Sequence, residues 1–567
     1  MKATWKVMAA TSAVSLFSLS TLAMGFRPAA ARHSAVIHKI GVARRPALTH
    51  KIGGTLNLLG GPNGTWVDEN NPFAPGASNT PATYIVYEPL IQWNSANGHY
   101  KPWLATSWSW NKAATVLTVD LRPGVHFSNG MPFTSKDVAF TFHMLKKYPA
   151  TDVTGLWTYL KSVSMAGSHA VKFVLKKPNA MFFYYMAQVP IVPASIWSHH
   201  NPVTWTDPHP IGTGPFEFHS FSPELVTLTR NPHYWQAPKP YLKTLRIPAE
   251  QSNTTTVLAL AENKLQWSGT FSFNLRRSYV NRDPKYNHVG LYPNGLDVLY
   301  VNLHHYPLNL LVVRRAISMA LNRRQITNIG FSGYSPPVTN LTGITPGMAK
   351  TWSTPTLNRK FSARYAPVLA KRMLLKAGFK AGPNGVLKTP KGKPFNVSID
   401  VSTPYTDFVA ASEQITQQLK RIGINVTIQS NSANTYYHKL QLGQFDLAVC
   451  WAPWGANPFF TLYPFMSKQF SKPMGQYATA NFERYYNPRV ESLGAQFLAT
   501  NVHSKQVLLV HQLASIFATQ LPVIPLTYRN TPIEYSTKNI GGWPTPANPY
   551  WNVNEGNLPV LTNLYYK

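Results

Sequence analysis

Strand-like and helix-like hydrophobic patterns alternate along most of the chain. The clearest lies in residues 211–246, where 216–221 and 225–229 alternate apolar and polar side chains around Ser-Pro-Glu and predict a β-hairpin. Residues 242–247 predict a further strand after a proline-rich spacer. The Gly-Thr-Gly-Pro that precedes the hairpin predicts a turn with unusual backbone angles.

The next patterns combine strands with helices. Strand 117–121 and two glycine turns precede Thr134 and Asp137, which form a capping box at the start of a helix with an apolar face. Residues 297–303 predict a strand, and residues 312–326 place apolar side chains on one face of a single helix.

The C-terminal half has the pattern of a parallel α/β unit. Residues 395–428 predict strand, helix and strand, with Gly423 ending the helix and a right-handed crossover between the strands. A strand at 445–449 and a helix at 506–518 follow, and strand 521–528 is expected to cross back to the first half. Since 567 residues exceed one ordinary core, two or three lobes are expected.

The first residues have the pattern of an export signal. Residues 1–31 contain Lys2 and Lys6, an apolar run and three consecutive alanines suited to cleavage, which predicts a signal peptide. An uncleaved membrane anchor is the alternative, although the apolar run is shorter than the ~20 residues of a span. Residues 32–51 are basic and predict a flexible tether. A periplasmic or extracellular location follows.

Cysteine usage limits how the protein is held together and anchored. Cys450 is the single cysteine, so no internal disulfide can form. No cysteine lies directly after the predicted signal, where a lipid would be attached, and this argues against a lipid anchor.

The charge balance is unusual because acids are scarce. Lys and Arg number 53 against 21 Asp and Glu, and the first acid is Asp68. Carboxylates are protonated as the pH falls towards about 4, so a chain that avoids them suits an acidic exterior. Attraction to an anionic cell surface is an alternative; nucleic-acid binding would favour a concentrated basic stripe, whereas these residues are scattered.

Two motifs resemble one protein family. The order GTGPF, hairpin, RNPHYW, proline-rich spacer and strand resembles the oligopeptide- and dipeptide-binding family, family five, of ABC-transporter extracytoplasmic solute-binding proteins. The sequence GMPFTSKDV at 130–138 is similar to a second signature of that family. The resemblance extends from about residue 53 to residue 567.

The resemblance implies an α/β, two-lobe, class II periplasmic-binding-protein-like fold with an extra subdomain in the first lobe. Lobe I would comprise residues 52–295 plus 525–567, with the inserted subdomain at about 70–205. Lobe II would comprise residues 296–524, and two strands would form the hinge.

The resemblance also implies a transport function without catalysis or a cofactor. A peptide would be captured in the interlobe cleft by hinge closure and handed to an ABC permease, which a cytoplasmic ATPase drives. The chain lacks a Walker motif, and a monomer is expected.

Ligand-binding residues are expected on loops that face the cleft. Family members that bind dipeptides hold the peptide amine with W-x-x-D, where this chain has Trp-Ala-Pro-Trp, and Thr403 stands where their arginine would be. Short zwitterionic peptides are therefore disfavoured as ligands. Binding through aromatic side chains that stack on apolar groups or sugar rings is favoured instead. The candidates are Asn63, Trp66, Tyr405, Trp451, Trp454 and Asn457.

Competing functions have less support from the motifs. An oligosaccharide-binding member of the same family is the nearest alternative. A secreted hydrolase would need motifs such as G-x-S-x-G or H-E-x-x-H, or a pair of catalytic acids, and these are not evident. Nickel or haem capture, known in the broader family, has no metal-ligand spacing among the 18 histidines.

Overall fold

The computed structural model describes residues 50–59, 64–74, 82–94, 99–152, 154–500, 502–545, 547–548, 550–553 and 557–567. The predicted signal peptide at 1–31 lies outside these residues, as does nearly all of the predicted tether at 32–51. Within the described ranges, no helix combines the length and apolar character that crossing a bilayer requires.

Strands and helices alternate through the described chain. The strands are β1 (Gly53–Leu59), β2 (Ile91–Asn94), β3 (His99–Pro102), β4 (Ala105–Trp110), β5 (Val116–Leu121), β6 (Leu160–Met165), β7 (Ala170–Leu175), β8 (Phe216–Ser222), β9 (Leu225–Arg230), β10 (Leu242–Pro248), β11 (Trp267–Ser268), β12 (Asn287–Val301), β13 (Lys380–Ala381), β14 (Leu387–Lys388), β15 (Asn396–Ser402), β16 (Asn425–Asn431), β17 (Leu447–Trp451), β18 (Val523–Ser536), β19 (Ile540–Gly541) and β20 (Tyr565–Tyr566). The helices are α1 (Thr83–Val86), α2 (Ser135–Lys147), α3 (Leu156–Tyr159), α4 (Phe182–Ala187), α5 (Ala194–Trp197), α6 (Asn253–Ala261), α7 (Leu275–Ser278), α8 (Leu311–Ala320), α9 (Arg323–Gly330), α10 (Pro346–Trp352), α11 (Pro355–Lys360), α12 (Pro367–Lys376), α13 (Thr406–Arg421), α14 (Ala433–Leu442), α15 (Phe459–Met466), α16 (Pro488–Leu498), α17 (His503–Gln520) and α18 (Leu558–Leu561).

A ten-stranded sheet runs through both lobes in the order β16-β15-β17-β12-β18-β11-β1-β10-β9-β8. The long strands β12 and β18 pair antiparallel at its centre over nearly their whole length. β17 joins one side of this pair and β11 joins the other. The two lobes are therefore connected through paired strands, and the expected lobe boundaries at 295/296 and 524/525 fall inside them.

Each lobe has its own hydrophobic core. One core combines β1 and β8–β10 with the segment between β1 and β8, and the other combines the second half of β12 with β15–β17, α13 and α17. β15 and β16 are parallel and joined by α13, which confirms the predicted α/β unit. The fold is thus a mixed α/β fold with two lobes, as the sequence predicted.

A separate four-stranded sheet, in the order β4-β5-β7-β6, lies between β1 and β8 in the chain, inside the expected insertion at 70–205. α2 packs on this sheet, and its predicted capping box is present at Thr134 and Asp137. Met181, just before α4, and Tyr184, within α4, pack into the core of the second lobe. The insertion therefore contacts both lobes.

The predicted hairpin forms as β8 and β9, and the Gly-Thr-Gly-Pro before it packs against α1. A Cβ atom on Gly212 would lie 2.0 Å from the Val86 carbonyl oxygen, and one on Gly214 would lie 2.0 Å from the Ile85 carbonyl oxygen. Neither glycine has a left-handed φ. Close backbone packing is therefore what requires glycine at these positions.

The RNPHYW motif closes around a buried carboxylate. Glu88 accepts hydrogen bonds from Trp103 Nε1 (2.6 Å), Tyr234 Oη (3.0 Å) and Trp235 Nε1 (3.1 Å). The guanidinium carbon of Arg122 lies 4.3 Å from the Trp235 ring centroid. Burial raises the pKa of Glu88 to about 7, although the donors oppose the shift. This group, called the Glu88 cluster below, links three distant chain segments.

One helix prediction was wrong. Residues 312–326 form two helices, α8 and α9, because the Asn322 side chain accepts a hydrogen bond from Gln325 N and caps α9. Arg314 and Arg323 are both buried. Arg314 donates to a backbone carbonyl just before β18, and Arg323 donates to one near the start of β18. The break lets both arginines reach this segment.

Candidate functional site

The site is built where the two central strands leave one lobe for the other. β12 has an irregular register around Asp297, which is buried. Its Oδ2 accepts a hydrogen bond of 2.5 Å from Thr527 Oγ1 on β18, and its Oδ1 lies 3.8 Å from Arg529 Nη1. Burial raises the pKa of Asp297, while Arg529 and Thr527 lower it. The strand pairing thus places an acid and a base side by side at the hinge.

Arg529 projects from β18 between this acid and an aromatic ring. Its guanidinium carbon lies 4.6 Å from the Trp451 ring centroid, within the range of a cation–π contact. The Arg529 side chain is 21% exposed. Solvent and ligand can therefore reach a guanidinium whose orientation is fixed from two sides.

Asp407 is the second acid of the site, in the first turn of α13. The helix N-terminus favours a negative charge there. Burial nevertheless raises the pKa of Asp407 to about 7, with the charge of Asp297 adding to the rise and that of Arg529 opposing it. Arg529 thus pairs with Asp297 and acts electrostatically on the half-buried carboxyl group of Asp407.

Aromatic side chains form a wall beside these charges. Tyr405, Phe408 and Tyr437 surround Trp451, with ring centroids 5.5, 5.4 and 6.1 Å from the Trp451 ring. Trp451 is the last residue of β17 and remains partly exposed, although the sequence predicted it on the following loop. Such a wall can contact apolar groups or the flat face of a sugar ring.

The lobes touch directly next to this wall. Asn253 Nδ2, at the start of α6 in the first lobe, lies 3.3 Å from Thr406 Oγ1 at the start of α13 in the second. Asn253 Oδ1 accepts a hydrogen bond of 2.9 Å from Thr270 Oγ1. Leu275 N donates to Tyr334 Oη at 2.6 Å, which is a further contact between the lobes. The cleft is therefore closed on this side of the site.

Trp454 lies near the hinge. A Cβ atom on Gly295 would come within 3.1 Å of the Trp454 ring, and Gly295 has a left-handed φ of 86°. The indole N–H of Trp454 is buried without a hydrogen-bond partner. Trp454 thus packs against the glycine turn of β12 with an unpaired, buried indole N–H.

Two of the remaining predicted residues, Trp66 and Asn457, are buried and form hydrogen bonds within the protein. Trp66 is buried in the first-lobe core and donates from Nε1 to the Ile247 carbonyl at 3.0 Å. Asn457 is buried, and its Oδ1 accepts from Phe459 N at 3.0 Å at the start of α15. Asn63 lies outside the described residues. The structure therefore brings Tyr405 and Trp451 together, with Trp454 near the same hinge.

Charged residues from other elements lie near the positions where the charged anchors of dipeptide-binding family members are missing. Thr403 and Trp454 carry no charge, but Asp297, Asp407 and Arg529 place charges beside Trp451 from other elements. The signal that could have revealed them is acid scarcity: in a chain with 21 acids, Asp297 at the head of an apolar strand is conspicuous. The arginine could not be paired with it without knowing the register of β12 and β18.

Metal-binding residues do not converge in this region or elsewhere in the described part of the chain. No group of three His, Cys, Asp or Glu side chains there has an arrangement that could hold a metal ion. The chemistry of the site is that of hydrogen bonds, charge pairing and aromatic contact.

Comparison with known proteins identifies the family to which this architecture belongs. The family model for bacterial extracellular solute-binding proteins, family 5, matches residues 99–473. The glutathione-binding protein of Escherichia coli is 24% identical over 466 residues, covering 78% of this chain and 83% of that protein. Di/tripeptide-binding protein 1 of Pseudomonas aeruginosa is 23% identical over 520 residues, covering 85% and 91%.

A solved structure extends the similarity to the fold. The mannohexaose-bound periplasmic oligopeptide-binding protein of Thermotoga maritima is 26% identical with a TM-score of 0.81, covering 90% of this chain and 98% of that one. The match spans both lobes, which confirms the fold and the family resemblance inferred from GTGPF and RNPHYW. The chain therefore belongs to the bacterial extracellular solute-binding proteins of family 5, which are binding components of ABC transporters.

Proposed function

We propose that this protein captures peptides between its lobes and delivers them to a membrane permease that an ATPase drives. The observation that carries this proposal is the set of charged residues Asp297, Arg529 and Asp407 near the partly exposed Trp451. Peptides carry an ammonium, a carboxylate and many amide groups, so they can use both signs of charge. The glutathione-binding and di/tripeptide-binding relatives support this ligand class.

The two charges have different tasks in this proposal. Asp407, at the start of α13, accepts the ammonium group of the ligand, which replaces the proton that burial favours. Arg529, already held by Asp297 and Trp451, donates to a ligand carboxylate or carbonyl group. The aromatic wall contacts the apolar part of the ligand.

The cellular context forms part of the same proposal. The protein is exported by its signal peptide, works in the periplasm or outside the cell without a lipid anchor, and acts as a monomer without enzymatic activity. The signal-like pattern of residues 1–31 and the position of the single cysteine support export without lipidation. The scarcity of acids and the raised pKa values of buried carboxyl groups support an acidic exterior.

Ligand binding is tested by tryptophan fluorescence and thermal shift with tri- to pentapeptides. Each peptide is compared with its N-acetylated form, and the wild type with Asp407→Asn. We expect the free peptide to bind at least about tenfold more tightly than the acetylated peptide at pH 7, and Asp407→Asn to remove this preference. Asp120→Asn, an exposed acid in the inserted sheet, is the matched control. Equal affinity for both forms in the wild type would contradict the role of Asp407.

An oligosaccharide is the second candidate ligand, because the aromatic wall could stack on sugar rings. The Thermotoga maritima structure contains mannohexaose, which favours this alternative. Manno- and cello-oligosaccharides therefore belong in the same screen. Binding of these sugars that Trp451→Leu abolishes and Asp407→Asn leaves unchanged would replace the peptide proposal.

A further inference from the structure

A long part of the second lobe contains no acid at all. Between Asp297 and Asp400 the chain has seven arginines and eight lysines and not one Asp or Glu. Two of these cations, Arg314 and Arg323, are buried and bonded to backbone carbonyls. Most of the others are exposed, so the acid-free segment gives the second lobe a strongly positive region.

α12 is the centre of this region and has an unusual outward face. Ala370 and Leu374 are buried, and the opposite side of the helix should be polar in a purely solvated helix. Instead, Val368 is 66% exposed, Leu369 is 39% exposed and Leu375 is 43% exposed. Three large apolar side chains thus stand in solvent on one short helix.

Cations lie on the same outward face of α12. At 100° per residue, Arg372 and Lys376 lie on the same side as Val368, and both are exposed. The outward face therefore combines apolar and cationic side chains. This is the composition of helices that lie in the boundary between lipid headgroups and acyl chains.

The small hairpin after α12 adds charges that the fold itself does not balance. Lys380 of β13 is the direct cross-strand partner of Lys388 of β14, and both are exposed. Like charges in this position destabilise a hairpin. Lys391 and Lys393 follow on the next turn, and both are exposed. An external anion would relieve the repulsion that the hairpin carries.

Internal ion pairs do not explain these cations. The ion pairs among the described residues involve none of the lysines or arginines between Asp297 and Asp400. A solvated basic surface would account for the charges alone, but it would not account for Val368, Leu369 and Leu375. Both features together fit an anionic surface with an apolar interior.

We propose that the outward side of α12 together with β13 and β14, called the α12 face, docks the protein on a bilayer that contains anionic phospholipid. The arginine and the lysines contact the lipid phosphates, and the three apolar side chains enter the headgroup boundary. Binding is reversible and salt-dependent, because it relies on a few exposed charges and a small apolar area. Docking keeps the protein at the membrane surface, and it goes beyond ligand capture because it requires no ligand.

The test is co-sedimentation of the full chain with sucrose-loaded vesicles. Vesicles of phosphatidylglycerol and phosphatidylcholine are compared with vesicles of phosphatidylcholine alone, at low and at physiological salt. A charge variant combines Arg372→Gln, Lys376→Gln, Lys380→Gln and Lys388→Gln, and an apolar variant combines Val368→Ser, Leu369→Ser and Leu375→Ser. The matched control removes four exposed lysines from the inserted sheet and its helix, as Lys112→Gln, Lys136→Gln, Lys161→Gln and Lys172→Gln.

We expect the wild type to bind the anionic vesicles and the control to bind within about twofold of it, because the control retains the α12 face. The charge variant should lose at least about tenfold in partitioning, and the apolar variant at least about threefold at unchanged net charge. Thermal unfolding establishes that each variant is folded. A further variant keeps the charge at the four positions by exchanging each cation for the other type. It combines Arg372→Lys, Lys376→Arg, Lys380→Arg and Lys388→Arg, and it should bind like the wild type.

Three results would overturn the proposal. Failure of the wild type to bind anionic vesicles is one. Equal loss in the charge variant and the control would mean that net charge alone acts. Unchanged binding by the apolar variant would favour a polyanionic polymer or an acidic protein as the partner of this face.

Discussion

Two carboxyl sites of the molecule, the Glu88 cluster and the site in the cleft, differ in how completely their carboxyl groups are paired. Both oxygens of Glu88 accept hydrogen bonds, from two indoles and a tyrosine, and the group lies wholly inside the first lobe. In the cleft, one partly exposed Arg529 pairs with Asp297 and also acts electrostatically on Asp407. A carboxylate with all its partners stabilises a fold, whereas one that shares its partner has capacity left for a ligand.

The difference also appears in where the partners come from. The donors to Glu88 belong to segments that stay together within one lobe. The partners in the cleft lie on β12, β18 and α13, so their geometry depends on how the lobes are set at the hinge. Substitutions in the Glu88 cluster should therefore change the stability of the fold, whereas substitutions in the cleft should change ligand affinity.

The largest expected effect is on stability at the Glu88 cluster. Glu88→Ala leaves Trp103, Tyr234 and Trp235 without acceptors in a buried site and should lower the free energy of unfolding by about 3–5 kcal/mol. Glu88→Gln keeps the shape and should cost about half as much. Chemical denaturation measures both. A loss below about 1 kcal/mol for Glu88→Ala would show that the cluster does not organise the first lobe.

The next effect is on ligand binding in the cleft. Arg529→Met removes the partner of Asp297 and Asp407 and should weaken peptide binding by about a hundredfold, equivalent to ~3 kcal/mol. Glu88→Gln, as the counterpart from the first lobe, should leave affinity within about twofold. Isothermal titration calorimetry at pH 7 compares the two variants. A comparable loss of peptide affinity in both variants would mean that the cleft residues are not more important for binding than the Glu88 cluster.

The pH dependence of stability should follow the carboxyl groups whose pKa is raised, in the Glu88 cluster, in the cleft and elsewhere in the first lobe. Burial raises the pKa of Glu69, Glu88, Asp207 and Asp407 to about 7, whereas unfolded carboxyl groups titrate near 4. Between these values the folded chain binds more protons than the unfolded chain, so the free energy of unfolding falls as the pH rises from about 4 to about 7. We expect a difference of about 3 kcal/mol or more across this window.

Urea denaturation at several pH values measures this dependence. Glu88→Gln should make the curve less steep, because this side chain no longer titrates while Glu69, Asp207 and Asp407 still do. Below about pH 4 these groups add nothing further, and the excess of positive charge opposes folding. A stability that rises steadily from pH 4 to pH 7 would contradict the raised pKa values.

The smallest expected effect concerns the contact between the lobes. Asn253→Ala removes the hydrogen bond to Thr406, and with it the hydrogen bond from Thr270, without touching the charges of the cleft. It should weaken ligand binding by about two- to threefold, because a single neutral hydrogen bond between the lobes contributes little to closure. Small-angle scattering of the ligand-free protein should show a more open average shape. An effect as large as that of Arg529→Met would mean that closure, rather than charge, dominates affinity.

Local patterns predicted the elements well and their tertiary roles less well. The hairpin of β8 and β9, the capping box of α2 and the β15-α13-β16 unit follow from residues close in sequence. The single helix at 312–326 failed because Asn322 stops one helix and caps the next. Trp66 was expected at the cleft, but it bonds to the Ile247 carbonyl inside the first lobe. A tryptophan beside glycines has the same local pattern in a core and in a cleft.

The sequence by itself determined the family, the α/β class, the candidate aromatic residues Tyr405 and Trp451, and the shortage of acids. These properties are set by composition and by neighbours within a few residues. Only the tertiary structure decided that Arg529 pairs with Asp297 and that both charges act on Asp407, since the three residues are separated by more than a hundred residues in the chain. This arrangement depends on the register of β12 with β18 and on where α13 begins, and long-range pairing of this kind leaves no periodic signal in the sequence.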